Sequence, residues 1–377
     1  MKGKQGLVCM GLLLVLSSCH TGKQITASGL QRKDFQTEVN GQHTDLFTLS
    51  NKQGMEVCIT NYGARVVSIL VSDRNGKRED VVCGFSTITE YMEQRQNFGS
   101  TVGRYIGRIL NARFTLDGVE YKLVPNNGKS GHISHGGNPG FADRIWKVEQ
   151  ADTHRVCLSY LSPDGENGFP GNLKVTLVYS LGEDDNALDL TYEATTDAPT
   201  VLNLSHHSFF NISGNFTKSV EDQQLWVDAD RFTPYDDKKC VTGEYLPVAG
   251  TPLDFRMPHT IGECIDADHP QLKVVNGYDH TWELNTKGDD TRPAAWVYDP
   301  ASGRKMEIFT TEPGMQIYTG NGLKGKMTGK GGIAYPFRSA VCFETMHFQD
   351  SPNQPGFPST VLRPGEVFRS HTVYKFE

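Results

Sequence analysis

The chain has 377 residues and a formal charge of −7 at neutral pH, with 44 acidic against 37 basic side chains. No basic block breaks that balance, which argues against nucleic acid as a partner; the 39 glycines and 10% aromatic residues suit a turn-rich β protein with rings free to stack on a ligand. The length admits two or three domains, yet all-β sandwiches run past about 200 residues as one unit.

The chain opens with Lys2 and Lys4, then a short apolar run from Leu7 to Leu16, then Leu16-Ser17-Ser18-Cys19. The run is too short to span a bilayer, and the small residues before Cys19 mark a signal peptide over 1–18. This stretch resembles the lipobox of bacterial lipoproteins. That implies cleavage before Cys19, lipid on that residue, and an extracytoplasmic protein held to the membrane by its lipid alone. A plain signal peptide with a chance Cys is the other reading. Residues 19–40 are polar and read as a tether, leaving 41–377 as the folded domain. Of the cysteines beyond Cys19, Cys58, Cys83, Cys157 and Cys342 sit in apolar runs and read as buried free thiols. No Cys-x-x-Cys pair supports a zinc or redox motif.

Period-two apolar patterns dominate the rest. Residues 46–49 and 55–60 read as a first pair of strands, and 65–71 as a third. Asp117-Gly118 between residues 114–116 and 119–123 is a strong hairpin signal. Leu173, Val175, Leu177 and Tyr179 alternate with polar neighbours, as do Leu188, Leu190 and Tyr192 beyond the 182–186 turn. Trp296, Met306, Ile308, Met315, Ile317 and the terminal Val373, Tyr374 and Phe376 continue the theme. The one helical candidate is 87–94. Many strands without helical crossovers predict an all-β fold, a large antiparallel β-sandwich.

One stretch carries more chemistry than the others. Residues 339–359 open as a strand in which Val341 and Phe343 alternate with Cys342 and Glu344, then break at Pro352, Pro355 and Pro358. Each proline locks a backbone dihedral, so the loop is fixed. A strand-borne Glu344 beside a rigid loop, with His347 three positions on, is a way to mount a catalytic group. An ordinary Glu facing water from a half-buried strand fits the same pattern. Other polar clusters are Arg104 and Arg108 in 103–108, His132 and His135-Gly136-Gly137, His206-His207 beside Phe209-Phe210, Asp279-His280, and Gln316 with Tyr318. Each has a plain structural alternative; Arg104, for instance, fits a carboxylate partner. His135, His206, His207 and His280 fit a metal by residue type, but no pair has the tight spacing of known metal motifs. Neither metal nor cofactor is expected.

Taken in order, these clusters resemble the aldose 1-epimerase, or galactose mutarotase, family. The resemblance runs from Asn61-Tyr62-Gly63-Ala64 through Asp80–Phe85, the 103–108 block, Asn126-Asn127-Gly128, His135-Gly-Gly, 207–211 and Tyr278-Asp279-His280. It ends with 339–359 and Leu362–Glu366, covering nearly all of 44–377. It implies a galactose mutarotase-like supersandwich with a cleft for a free monosaccharide; a monomer is expected. The family's general base matches Glu344 and its general acid His207. Its sugar-binding groups match Arg108, His135, Asp279 and Gln316, with position 107 beside them. Phe209 or Phe210 would pack on the apolar face of the sugar.

The implied reaction swaps the α and β anomers of a glucose- or galactose-type aldose. A base takes the C1 hydroxyl proton while an acid protonates the ring oxygen, the ring opens, and it recloses on the other face. Glu and His suit the roles, with reference pKa values of about 4.3 and 6.5, and apolar neighbours should raise that of Glu344. Several positions depart from the family pattern. Gly107 stands where Asn is usual, which removes a donor to the sugar. His206 replaces an Asn, Gly322-Leu323-Lys324-Gly325 replaces Phe-Leu-Asp-Gly, and Gln349 replaces a Pro. These changes bear on sugar preference more than on chemistry. A non-catalytic glycan-binding lipoprotein is one rival reading. A glycoside hydrolase using Asp279 and Glu344 is another, and a phosphosugar epimerase a third, weakened by the lack of an arginine cluster.

Overall fold

The alternation over 173–192 explains the first layer of the computed structural model, which describes residues 24–377. In Leu173–Leu181 every odd position is buried and every even one reaches solvent, because successive strand side chains leave on opposite faces. That strand pairs antiparallel with Arg155–Ser162 and Ala187–Thr196. They belong to a nine-stranded sheet that continues through Phe368–Phe376, Lys305–Thr310, Ala295–Tyr298 and Gln224–Val227.

A six-stranded sheet packs against its apolar face. The order is Phe209–Phe210, Val341–Met346, Gly314–Tyr318, Asp279–Glu283, Arg231–Thr233 and Leu246–Pro247. Val341 and Phe343 enter the core shared with Leu177, Tyr179 and Tyr374. The Tyr374 hydroxyl donates to the Phe343 carbonyl between the sheets at 2.9 Å. Each large apolar side chain buried this way stabilises by roughly 1.5–3 kcal/mol. That burial fixes register, since a one-residue slip would turn Glu344 into the apolar core. A four-stranded sheet, Leu46–Ser50, Glu56–Thr60, Arg65–Ser72 and Arg78–Asp80, feeds Leu49, Val57, Ile59 and Ile69 into the same core.

Local signals hold where they are strong. Asp117 and Gly118 both take positive φ, 51° and 79°, and pair Leu116 with Val119 in the expected hairpin. The expected helix is Ile88–Gln94, capped by Thr87: the Glu90 N–H donates to Thr87 Oγ1 at 3.2 Å and the Glu90 carboxylate accepts from the Thr87 N–H at 2.9 Å.

Four expectations need correcting. A second helix, Pro270–Val275, spans six residues and buries only Leu272 and Val275, too few to show as an amphipathic run. Val341–Met346 does not alternate between core and solvent; all six residues are buried, because both faces of the strand are covered. Cys157 is half-buried rather than a core thiol, whereas Cys58, Cys83 and Cys342 are buried and free. The tether reading does not hold over 24–40. Leu30 and Phe35 are buried with Leu46 and Cys58, and Arg32 pairs with Asp45 at 2.5 Å, so two apolar anchors fasten an otherwise polar segment. The signal segment and Cys19 lie outside the described residues. Among the described residues no helix is long and apolar enough to cross a membrane.

Candidate active site

The six-stranded sheet carries the floor of a cleft of about 250 Å³. Pockets for drug-sized ligands run to roughly 300–1,000 Å³, so this one suits a smaller molecule. Strand register builds the floor. Gln316 lies directly opposite Glu344 on the neighbouring strand, and Thr281 opposite Gln316 on the next. Asp279, two residues before Thr281, shares that face because strand side chains repeat with period two. Gln316 ties them together: its Nε2 donates to Asp279 Oδ1 at 2.6 Å and its Oε1 accepts from Thr281 Oγ1 at 2.5 Å.

A short strand, Ser205–His207, pairs with Ser100–Val102 and brings His207 to Glu344. Their side chains are 7% and 5% exposed, with His207 Nε2 3.5 Å from Glu344 Oε1. Among the described residues no donor holds the Glu344 carboxylate, and His207 Nδ1 is buried without a partner. The His207 ring stacks on Phe209 at 5.1 Å and meets His135 edge-on at 5.5 Å. A two-residue ladder between Arg108–Ile109 and Ile133–Ser134 brings Gly107 and Arg108 beside His135, whose N–H donates to the Gly107 carbonyl at 2.9 Å. Among the described residues the Arg108 guanidinium reaches only the Lys239 carbonyl, at 3.5 Å, and so is available to a ligand.

A family model described as Aldose 1-epimerase matches residues 45–375. The chain belongs to the aldose 1-epimerase family. It is 39% identical over 330 residues to a galactose mutarotase of Sus scrofa, covering 88% of this chain and 93% of that one. It is 36% identical over 339 residues to an aldose 1-epimerase of Escherichia coli (strain K12), covering 89% and 96%. Among solved structures it is similar to an aldose epimerase homologue from C. elegans, with a TM-score of 0.81 at 30% identity over 89% of this chain and 99% of that one. A galactose 1-epimerase from Lactobacillus acidophilus gives 0.79 at 28% identity over 90% and 96%.

The residues assigned by resemblance to the aldose 1-epimerase family converge. Glu344, His207, Arg108, His135, Asp279, Gln316 and Gly107 all line the cleft. Of the two candidate rings, Phe209 lines it and Phe210 points into the core. Gln96, Asn97, Ser134 and Met346 also line it without having been singled out. Gln96 and Asn97 follow the end of a polar helix, and a polar pair ahead of Phe98-Gly99 is the only signal they give. Arg104 does not line the cleft, and among the described residues it has no carboxylate partner of the kind considered for it. It is buried and donates to Ser162 Oγ and to the Pro170 carbonyl, both at 2.7 Å. His347 is also elsewhere, 2.7 Å from Glu312.

The four histidines that fitted a metal by type do not form one group. His206 bonds Ser208 Oγ at 2.7 Å, and His280 is buried against Tyr235 and Trp282. Among the described residues one trio could hold an ion: His207, Cys342 and Glu344, whose ligand atoms lie within 4.8 Å of one another. The apolar run around Cys342 disguises that thiol as plain core.

Burial governs the titrations here, because a dry site penalises charge. It pushes the Glu344 carboxyl well above the ordinary carboxylate range, with the nearby Asp279 adding to the effect. It holds His207 well below the ordinary imidazole range, with His135 adding to it. His135 falls to about 4 through burial and the Arg108 charge. Asp279 is raised by burial and partly restored by Arg108. For both groups burial favours the uncharged form over the charged one.

Proposed function

We propose that the protein interconverts the α and β anomers of a free aldose, with Glu344 as general base and His207 as general acid. The observation that carries this reading is the buried His207–Glu344 pair, 3.5 Å apart, whose carboxylate has no hydrogen-bond donor among the described residues. The match to relatives named galactose mutarotase and aldose 1-epimerase over about nine-tenths of the chain supports it.

A bound pyranose supplies the missing donor. Its C1 hydroxyl faces Glu344 and favours the carboxylate form, with the proton to be donated held on His207. Glu344 then takes the C1 hydroxyl proton and the C1–ring-oxygen bond breaks. The bonding pair goes to the ring oxygen, which is protonated by His207, and C1 becomes an aldehyde. After rotation about the C1–C2 bond the ring hydroxyl attacks the other face, with both proton transfers reversed. Nothing is oxidised or reduced. Raising the carboxylate pKa makes Glu344 a stronger base, and lowering that of His207 makes its imidazolium a stronger acid. Each positioned group contributes roughly 10²–10⁴-fold. Arg108, Asp279, Gln316 and His135 hold the sugar hydroxyls, Phe209 packs against its apolar face, and Gly107 anchors the His135 loop.

Polarimetry on freshly dissolved α-glucose and α-galactose tests the reading. Equilibration should accelerate in proportion to enzyme, and methyl α-glucoside, which has no C1 hydroxyl proton, should be left unchanged. Sugar binding without acceleration would favour a non-catalytic binder, and methanol release from the glucoside would point to a hydrolase. The leader and Cys19 support an extracytoplasmic, lipid-anchored protein. Cys19→Ala should then move it from the membrane to the soluble fraction; an unchanged distribution would contradict the anchor.

A further inference from the structure

We propose that Gln349 is a sugar-contacting residue that helps set which aldose is preferred, filling the space left by the missing side chain of Gly107. This rests on the anomer-exchange reading of the same cleft. The two positions lie far apart in the chain but meet in the fold. Gly107 has φ +76°, and a Cβ built there would fall 2.5 Å from Gln349 Cγ and 3.1 Å from its Cδ. Side chains at 107 and 349 therefore compete for one volume. The volume left open at 107 is thus the one that the Gln349 side chain occupies.

Gln349 is placed to use that carboxamide. It is 5% exposed and lines the cleft between Arg108 and Gln316. Its Nε2 donates to the Tyr235 hydroxyl at 2.7 Å and to Gln316 Oε1 at 3.3 Å, and its Oε1 accepts the Arg108 backbone N–H at 3.3 Å. A side-chain amide has two donors and two acceptor lone pairs. Among the described residues one lone pair is unused and two of the three contacts are long, so a sugar hydroxyl can be accommodated without breaking a strong bond. Gln316 continues the line to Asp279 at 2.6 Å. The carboxamide thus reaches the sugar from the loop after Val341–Met346 rather than from the backbone next to Arg108. A group arriving from a different side favours a different hydroxyl configuration, so the recognised class is an aldose distinguished from its epimers at one ring carbon.

The experiment measures kcat and KM for anomer exchange on a panel of hexoses and pentoses that differ at single carbons. Gln349→Ala should raise KM about tenfold for the preferred aldose, the scale of one neutral hydrogen bond. It should change KM little for the epimer at the contacted carbon and leave kcat within about twofold. Gly107→Asn alone should lose sugar affinity through the clash. Gly107→Asn with Gln349→Pro should recover affinity with a changed order of preference among epimers, a coupling that a double-mutant cycle reads directly. A loss spread evenly over all sugars, or confined to kcat, would make Gln349 a structural support and overturn the proposal. Additive effects at 107 and 349 would overturn it too. Wild type in the same assay keeps the two readings separate. If it exchanges no aldose, the anomer reading falls. Saturation-transfer NMR of sugar binding then decides on Gln349, with the same epimer-dependent loss expected and an unchanged binding profile counting against it.

Discussion

Replacing Glu344 with Gln should make the protein less active and more stable at the same time. The Glu344 side chain is 5% exposed and no donor among the described residues holds it, so its charged form is disfavoured by the fold. A group whose folded pKa lies above its unfolded value supports stability below the unfolded value and loses that support as pH rises through the folded one. Wild type should therefore lose stability from about pH 4.5 upward, whereas the Gln variant, neutral throughout, should not. An unsatisfied buried polar group costs about 1–3 kcal/mol, and the charge makes the upper end the better guide. Unfolding entropy of about 2.1 cal/mol/K per residue over roughly 350 residues gives ~0.75 kcal/mol/K, so 1–3 kcal/mol moves Tm by about 1–4 °C. Thermal melts at pH 4.5 and pH 8 should show the variants level at the lower pH and Glu344→Gln higher at the upper one. Activity should fall by about 10²–10⁴-fold. A variant melting at or below wild type at pH 8 would mean that the carboxylate is already well solvated, and the argument for its raised pKa would collapse.

Three further outcomes follow from the same geometry. The pH profile of kcat/KM should be a bell, with an acid limb below the ordinary His range from His207 and an alkaline limb above the ordinary Glu range from Glu344. Asp279→Asn removes a charge that raises Glu344 and should move the alkaline limb down; a limb that stays in place would show that Glu344 does not set it. Arg108→Ala should cut kcat/KM by roughly 10–150-fold, the worth of a charged hydrogen bond at about 1.5–3 kcal/mol, with Tm little changed because the guanidinium makes one long contact among the described residues. Retained kcat/KM would exclude it from sugar binding. Zinc ions should inhibit reversibly through His207, Cys342 and Glu344, with EDTA restoring activity and Cys342→Ser blunting the effect; equal zinc sensitivity in that variant would rule the trio out.

How much was legible depended on the range over which a signal acts. The hairpin at Asp117-Gly118, the capped helix and the alternation of Leu173–Leu181 each lie within one element, and each formed as read. Parity along Val341–Met346 showed that Glu344 faces away from Val341 and Phe343. It could not show what covers that face, which is why a water-facing Glu was the favoured reading of the residues alone. The site is assembled from strands such as Arg108–Ile109 and Ser205–His207, two or three residues long, too short to display any period. Their place came from the ordered resemblance, not from propensity. Local composition also misjudged 24–40, where Leu30 and Phe35 outweigh their polar neighbours. The competition between Gly107 and Gln349 was invisible until the fold brought both to one cleft.

On the proposed mechanism His207 and Glu344, 3.5 Å apart, act as one unit. Exchange NMR on the anomeric protons of the preferred aldose tests it most directly, with wild type, Glu344→Gln, His207→Asn and the double variant at matched concentration. The account predicts that each single variant loses exchange by at least about 10²-fold and that the double variant loses little more, since groups acting as a unit are not additive. A folded single variant that keeps near-wild-type exchange, or a double variant whose loss is the product of the two, would contradict it.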